Sequence, residues 1–211
     1  MIPNLFLLIY TASDYGFSNN SLIYRQNKSE LQKAVLWTIL IGLALTFNVL
    51  TFPIGLISVG AYIVIAALLT TLKPRSDKVS WYVEIELINL AVALLFTIPL
   101  AGFMSTHNYI EPPFINYLLG LTISSVVFAD IFRRIDLIDV KSNDADGNFE
   151  RILLFIFVMA WQWQYLLITV VGMIVYRLIR YRKFDKFWVI SPAAGIGFAL
   201  IWFLLMKASL I

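Results

Sequence analysis

The chain has 211 residues, 60% of them hydrophobic, 15% aromatic and only 14% charged, with a formal net charge of +3 and a mean hydropathy of +0.82. A soluble domain carries about 25% charged residues, so this composition excludes a water-soluble fold and places the chain in the membrane class. There is no cysteine and one histidine, His107, which excludes disulfides, thiolate zinc sites, iron–sulfur clusters and a bis-histidine haem within one chain, so no cofactor is expected.

The apolar stretches run about 19 to 25 residues without the alternation of a barrel strand, so helices are the expected spanning form. The expected fold is all-α: a polytopic transmembrane helical bundle of about six spans with short loops. The spans are expected near 34–52, 54–72, 81–104, 114–132, 152–176 and 187–207, forming one helical domain over 34–211 behind an N-terminal segment 1–33.

Ile2 to Tyr10 are apolar but too few to cross, and no basic region precedes them as in a secretory signal, so they form an interfacial segment or one packed on the bundle. Polar residues 11–24 form a loop. Arg25, Lys28 and Lys33 then lead into the first span, with Ser29 as helix cap and Gln32 three residues on. Only Pro53 separates the first two spans. Together they predict a tight helical hairpin turning near residues 51–55, where proline stops one helix and glycine frees the turn. Asn48 lies close to that turn, suited to an interhelical hydrogen bond or to a solute.

Lys73, Arg75 and Lys78 make the next loop basic, and Trp81 and Tyr82 mark an interface. The third span carries Glu84 and Glu86 in its first turns, with Asn89 on the face of Glu86. A carboxylate here is either paired near water or part of an ion path. Pro99 is expected to bend this span. The next loop holds His107 and Glu111, and a lone loop histidine has no second ligand for a metal. In the fourth span Asp130 sits one turn before Arg133 and Arg134, which predicts an ion pair at the helix end.

Residues 142–150, with Asp144, Asp146, Gly147 and Glu150, resemble part of an EF-hand calcium loop, which implies oxygen ligands around a sharp glycine turn. Ser142 at the first position and Leu153 at the twelfth depart from that pattern, so an ordinary polar turn is the reading adopted. Residues 152–176 have no charge and no proline and, at 1.5 Å per residue, reach roughly 37 Å, enough for a full span. Gln162 and Gln164 then fall near mid-span, as partners of a neighbouring helix or as the lining of a path. The basic, aromatic run from Arg177 to Lys186 reads as a membrane-surface anchor rather than a nucleic-acid site. In the last span Ser191, Gly195 and Ala199 form one strip of small residues and Ala193 and Gly197 a second, each allowing close helix packing.

With six spans and a cytoplasmic N-terminus, eleven basic residues lie inside and five, Arg177, Arg180, Arg182, Lys183 and Lys186, lie outside. Those five strain the positive-inside rule. A re-entrant hairpin with Trp161 to Gln164 at its tip removes the strain, but no glycine or proline is there to turn it, so the full span is preferred.

No nucleophile triad, glycine-rich phosphate loop, metal-ligand cluster or internal repeat stands out. Three functions fit: a non-enzymatic scaffold or accessory subunit of a membrane assembly, an ion channel or small-solute transporter, and a membrane enzyme acting on lipid head groups. The first is favoured because no polar constellation is dense enough to demand the others. The expected partners are the lipid bilayer and other membrane subunits or a second copy, with no nucleic acid. The expected location is the bacterial inner membrane.

Overall fold

The computed structural model describes residues 2–17, 28–72, 79–139, 144–182 and 186–208, with backbone alone at 28–30 and 79–83. The loop residues Arg25, Lys73, Arg75, Lys78, Lys141, Ser142 and Lys183, and the side chains of Ser29, Trp81 and Tyr82, lie outside that description. Among the described residues regular structure is entirely helical, and the protein is an all-α helical bundle. Five helical stretches are long and apolar enough to cross a membrane: Pro53–Leu72, Glu84–His107, Pro112–Arg134, Trp163–Tyr181 and Phe187–Ala208. A shorter apolar helix covers Leu31–Leu45. This is an integral membrane protein in contact with the bilayer. Its internal contacts cluster into two compact units, residues 1–119 and 120–211, where the sequence suggested a boundary after residue 33.

In the first unit, α1 (Leu5–Thr11) takes the second of the two places expected for it, packed in the bundle rather than interfacial: Leu5, Phe6 and Ile9 are fully buried. The Tyr62 hydroxyl donates to the Phe6 carbonyl at 2.8 Å, and the Phe6 ring lies 4.7 Å from that of Tyr62 and 5.6 Å from that of Phe96. Asn116 fixes the start of the chain, accepting from Asn4 Nδ2 at 2.9 Å and donating to the Ile2 carbonyl at 3.0 Å. One π-helical turn (Ala12–Gly16) follows.

Helices α2 (Lys28–Leu45) and α3 (Pro53–Leu72) form a hairpin as expected, but α2 ends at Leu45 rather than at residue 52 and the chain turns over residues 46–52. Phe52 is extended, as a residue before proline prefers, and Pro53 opens α3, where its missing N–H costs no hydrogen bond. Gly55 is needed for space: a Cβ there would lie 2.1 Å from the Val49 carbonyl oxygen. α4 (Val79–His107) runs on through Pro99, and α5 (Pro112–Thr122) begins in this unit.

The second unit holds the end of α5, a π-helical turn (Ile123–Val127), α6 (Phe128–Arg134), α7 (Ala145–Met159), α8 (Trp163–Tyr181) and α9 (Phe187–Ala208). The single span expected over 152–176 does not exist. α7 ends at Met159, the chain turns through Ala160 to Gln162, and α8 returns as its antiparallel neighbour. The turn needs no glycine. Trp161 takes the left-handed conformation at φ 57°, its N–H donates to the Val158 carbonyl at 3.0 Å, and Gln162 N–H donates to the Phe157 carbonyl at 2.8 Å. These two bonds form a Schellman cap, which usually places glycine where Trp161 stands. Left-handed backbone costs a side-chain-bearing residue about 1–2 kcal/mol. Stacking of Trp161 on Phe203 at 5.1 Å and its edge contact with Trp163 at 5.0 Å offset that cost.

α9 packs its first strip against α7. Ser191, Gly195 and Ala199 are all buried, and a Cβ on Gly195 would sit 3.3 Å from Arg151 Cγ. The second strip is open: Ala193 is exposed, and a Cβ on Gly197 would meet nothing within 4 Å.

A buried ionic cluster as the candidate functional site

The residues singled out from sequence do not assemble into one site. Asn48 is exposed at the α2–α3 turn and Glu84 is exposed on α4. Glu86, on the same helix, accepts a hydrogen bond from the Tyr15 hydroxyl at 2.9 Å. Asn89 is buried one turn on, and its Nδ2 has no partner among the described residues. Asp130 is 6% exposed and forms the expected ion pair, with Arg134 Nε 2.6 Å away. Gln162 and Gln164 are exposed beside the hairpin tip, so the mid-span position read from sequence is corrected. The break at 160–162 moves them from the centre of a span to its end.

The densest polar chemistry lies instead at the open end of the α7–α8 hairpin. Arg151 has no exposed surface. Its guanidinium donates to Asp144 Oδ2 at 2.7 Å, Asn148 Oδ1 at 2.6 Å, Ser191 Oγ at 2.9 Å and the Ser125 carbonyl at 3.2 Å, and lies 5.3 Å from the centre of the Phe132 ring. Two of these contacts fall where helices are irregular. Ser125 belongs to the π turn, and Ser191 precedes Pro192 inside α9. One side chain thus ties α7 to both, reaching a main-chain carbonyl of the π turn and the side-chain hydroxyl of Ser191.

Asp144 begins α7, and Gly147 leaves room for it: a Cβ at Gly147 would lie 2.2 Å from its Oδ1. The resemblance to a calcium loop is therefore filled from within, because Arg151 occupies the Asp144 carboxylate and Tyr181 donates to Asp146 Oδ2 at 2.8 Å. Among the described residues no group of three or more His, Asp or Glu is placed to hold a metal ion.

Glu150, one residue before Arg151, makes the second pair, with Arg177 Nη2 at 2.5 Å. Both partners are almost wholly buried, and Arg177 Nη1 has no partner among the described residues. Burial pushes the Glu150 carboxyl up to about 7; Arg177 and then Arg151 pull it back only in part. Burial likewise lowers the Arg151 guanidinium from its ordinary value, against the attraction of Asp144. Both lie outside the five spanning stretches, ahead of the apolar run that starts at Ile152.

This cluster fixes the direction of the hairpin. Arg177 and Tyr181, at the end of α8, touch Glu150 and Asp146, at the start of α7, so the basic run lies at the same end as the acidic loop. Sequence reasoning missed Arg151 and Arg177 because each was counted as a loop charge or anchor. The signal was the Trp-Gln-Trp-Gln interruption of an overlong apolar run. Comparison with family models, curated proteins and solved structures gives no match.

Proposed function

We propose that the chain is a non-enzymatic scaffold or accessory subunit of a larger membrane assembly. The supporting observation is how little of α8 its own chain covers. Only Leu166 and Arg177 are buried along it, while Leu167, Ile168, Val171, Val175 and Ile179 are exposed. The open strip at Ala193 and Gly197 on α9 gives a second apolar face without bulk, suited to close approach by another helix. Meanwhile the buried charges are engaged in holding helices of the second unit together, and the glutamines proposed for a path are exposed at a hairpin tip.

The same reading sets orientation. Each crossing helix reverses the side, and the hairpin returns the chain to the side it left. By this count the lysines and arginines other than Lys207 fall on one side, which the positive-inside bias makes cytoplasmic. The start of the chain, bonded to Asn116 near the beginning of α5, lies towards the opposite side, against the cytoplasmic N-terminus expected from sequence. That asymmetry and the short loops support a bacterial inner membrane.

Purification from the source membrane in mild detergent, followed by mass spectrometry, tests the assignment. A stoichiometric membrane partner or second copy is expected, and Gly197→Leu should release it without lowering the melting temperature of the isolated chain. A lone monomer across several mild detergents would refute the scaffold reading.

A further inference from the structure

Between the start of α7 and the last turns of α8 lies a cleft of about 330 Å³, lined by Asp146, Phe149, Gly172, Met173, Tyr176 and Arg177. It has a polar end and an apolar end. At the polar end Arg177 is 5% exposed, with Nη2 held by Glu150 and Nη1 buried without a partner among the described residues. Nη1 exposes almost no surface, so it meets a ligand once the Arg177 side chain shifts towards the cleft that it lines, and there its unused N–H donates to a phosphate oxygen. Asp146, partly exposed at the rim and with one oxygen, Oδ2, accepting from Tyr181, adds a carboxylate whose other oxygen remains for a ligand ammonium, and with Glu150, Arg177 and Arg180 the formal charges of this end balance. Gly172 lies five residues earlier on α8, roughly 7.5 Å deeper along the helix axis towards its apolar middle. There Phe149, Met173 and the bare glycine leave room for a chain, since a Cβ on Gly172 would meet nothing within 4 Å.

We propose that this cleft binds one zwitterionic glycerophospholipid, with its phosphodiester on Arg177, its ammonium on Asp146 and an acyl chain along Gly172. The balanced charge favours a zwitterion over an anionic headgroup, and the apolar end requires a chain as well as a headgroup. The site does not depend on the scaffold reading, because the ligand is bound within one hairpin of one chain.

The test uses the full-length protein, delipidated in detergent, with thermal unfolding read against added dioleoylphosphatidylethanolamine, dioleoylphosphatidylglycerol, dioleoylglycerol or soluble glycerophosphoethanolamine. At ten times its Kd, the ethanolamine lipid should raise the midpoint by about 3–6 °C. The other three should raise it by less than half as much. Arg177→Ala strands Glu150 and is expected to unfold the unit, so the diagnostic variant is Gly172→Leu, which adds a side chain into open space and should abolish the shift while the chain stays folded. An equal shift with dioleoylglycerol or the soluble headgroup, an equal shift with the glycerol headgroup lipid, or an unchanged response in Gly172→Leu would each overturn the proposal.

Discussion

Replacing Arg151 with methionine keeps much of the side-chain volume and removes the charge together with four hydrogen bonds, to Asp144, Asn148, Ser125 and Ser191. The main loss is not the bonds themselves. Asp144 is 8% exposed, and without Arg151 its carboxylate remains buried with no cation in contact among the described residues. Breaking one side of a buried ion pair costs about 3–5 kcal/mol, whereas replacing both sides with apolar groups is often neutral. For a chain of this size each kcal/mol moves the melting temperature by about 2–4 °C, so Arg151→Met should lower it by about 6–20 °C. Arg151→Met combined with Asp144→Leu should recover at least half of that loss. The assay is thermal unfolding of the detergent-solubilised chain followed by circular dichroism. If the single variant melts within about 3 °C of the unsubstituted chain, or the double variant melts no higher than the single, Arg151 does not hold the second unit together as argued.

Three further outcomes are expected. Because burial raises the Glu150 carboxyl to about 7, the folded state prefers its protonated form, and that contribution to stability is complete below about pH 4.5 and lost as pH rises through about 7. The melting temperature should therefore fall over this window, and Glu150→Gln should flatten the fall; an identical slope in the variant would remove Glu150 as its source. Gly120→Leu drives a Cβ to 2.3 Å from Trp202 Nε1 and should destabilise by about 1–3 kcal/mol, whereas Gly60→Leu, which meets nothing within 4 Å, should not; equal melting curves would show that the α5–α9 contact is looser than described. Since the chain has no cysteine, single substitutions report topology cleanly: Tyr181→Cys and Asp136→Cys should label from the same side of sealed vesicles and Trp161→Cys from the other, and opposite labelling of 181 and 136 would restore the uninterrupted span.

The amino-acid sequence by itself determined the solvent and the building block. So much apolar surface in runs of about 19 residues or more admits only lipid and helices, and Pro53 marked the start of α3 because it acts through local backbone geometry; the end of α2 at Leu45 and the role of Gly55, which lies inside α3 and leaves space for Val49, were not legible that way. The Asp130–Arg134 pair was legible for the same reason, being one turn apart on one helix. What tertiary structure alone decided is where local rules leave a tie. The turn at Trp161 lacks the usual glycine, and its left-handed backbone is retained because Phe203, distant in sequence, stacks on the ring. Once that turn forms, Arg177 is carried back to Glu150, and the first residue of what looked like a stray basic loop becomes part of a buried ionic cluster. Burial of Arg151 depended on Ser125 and Ser191, 26 and 40 residues away, meeting around it. Pairing over such distances leaves no periodic trace in the chain, which is why the charges of the second unit were visible but their partners were not.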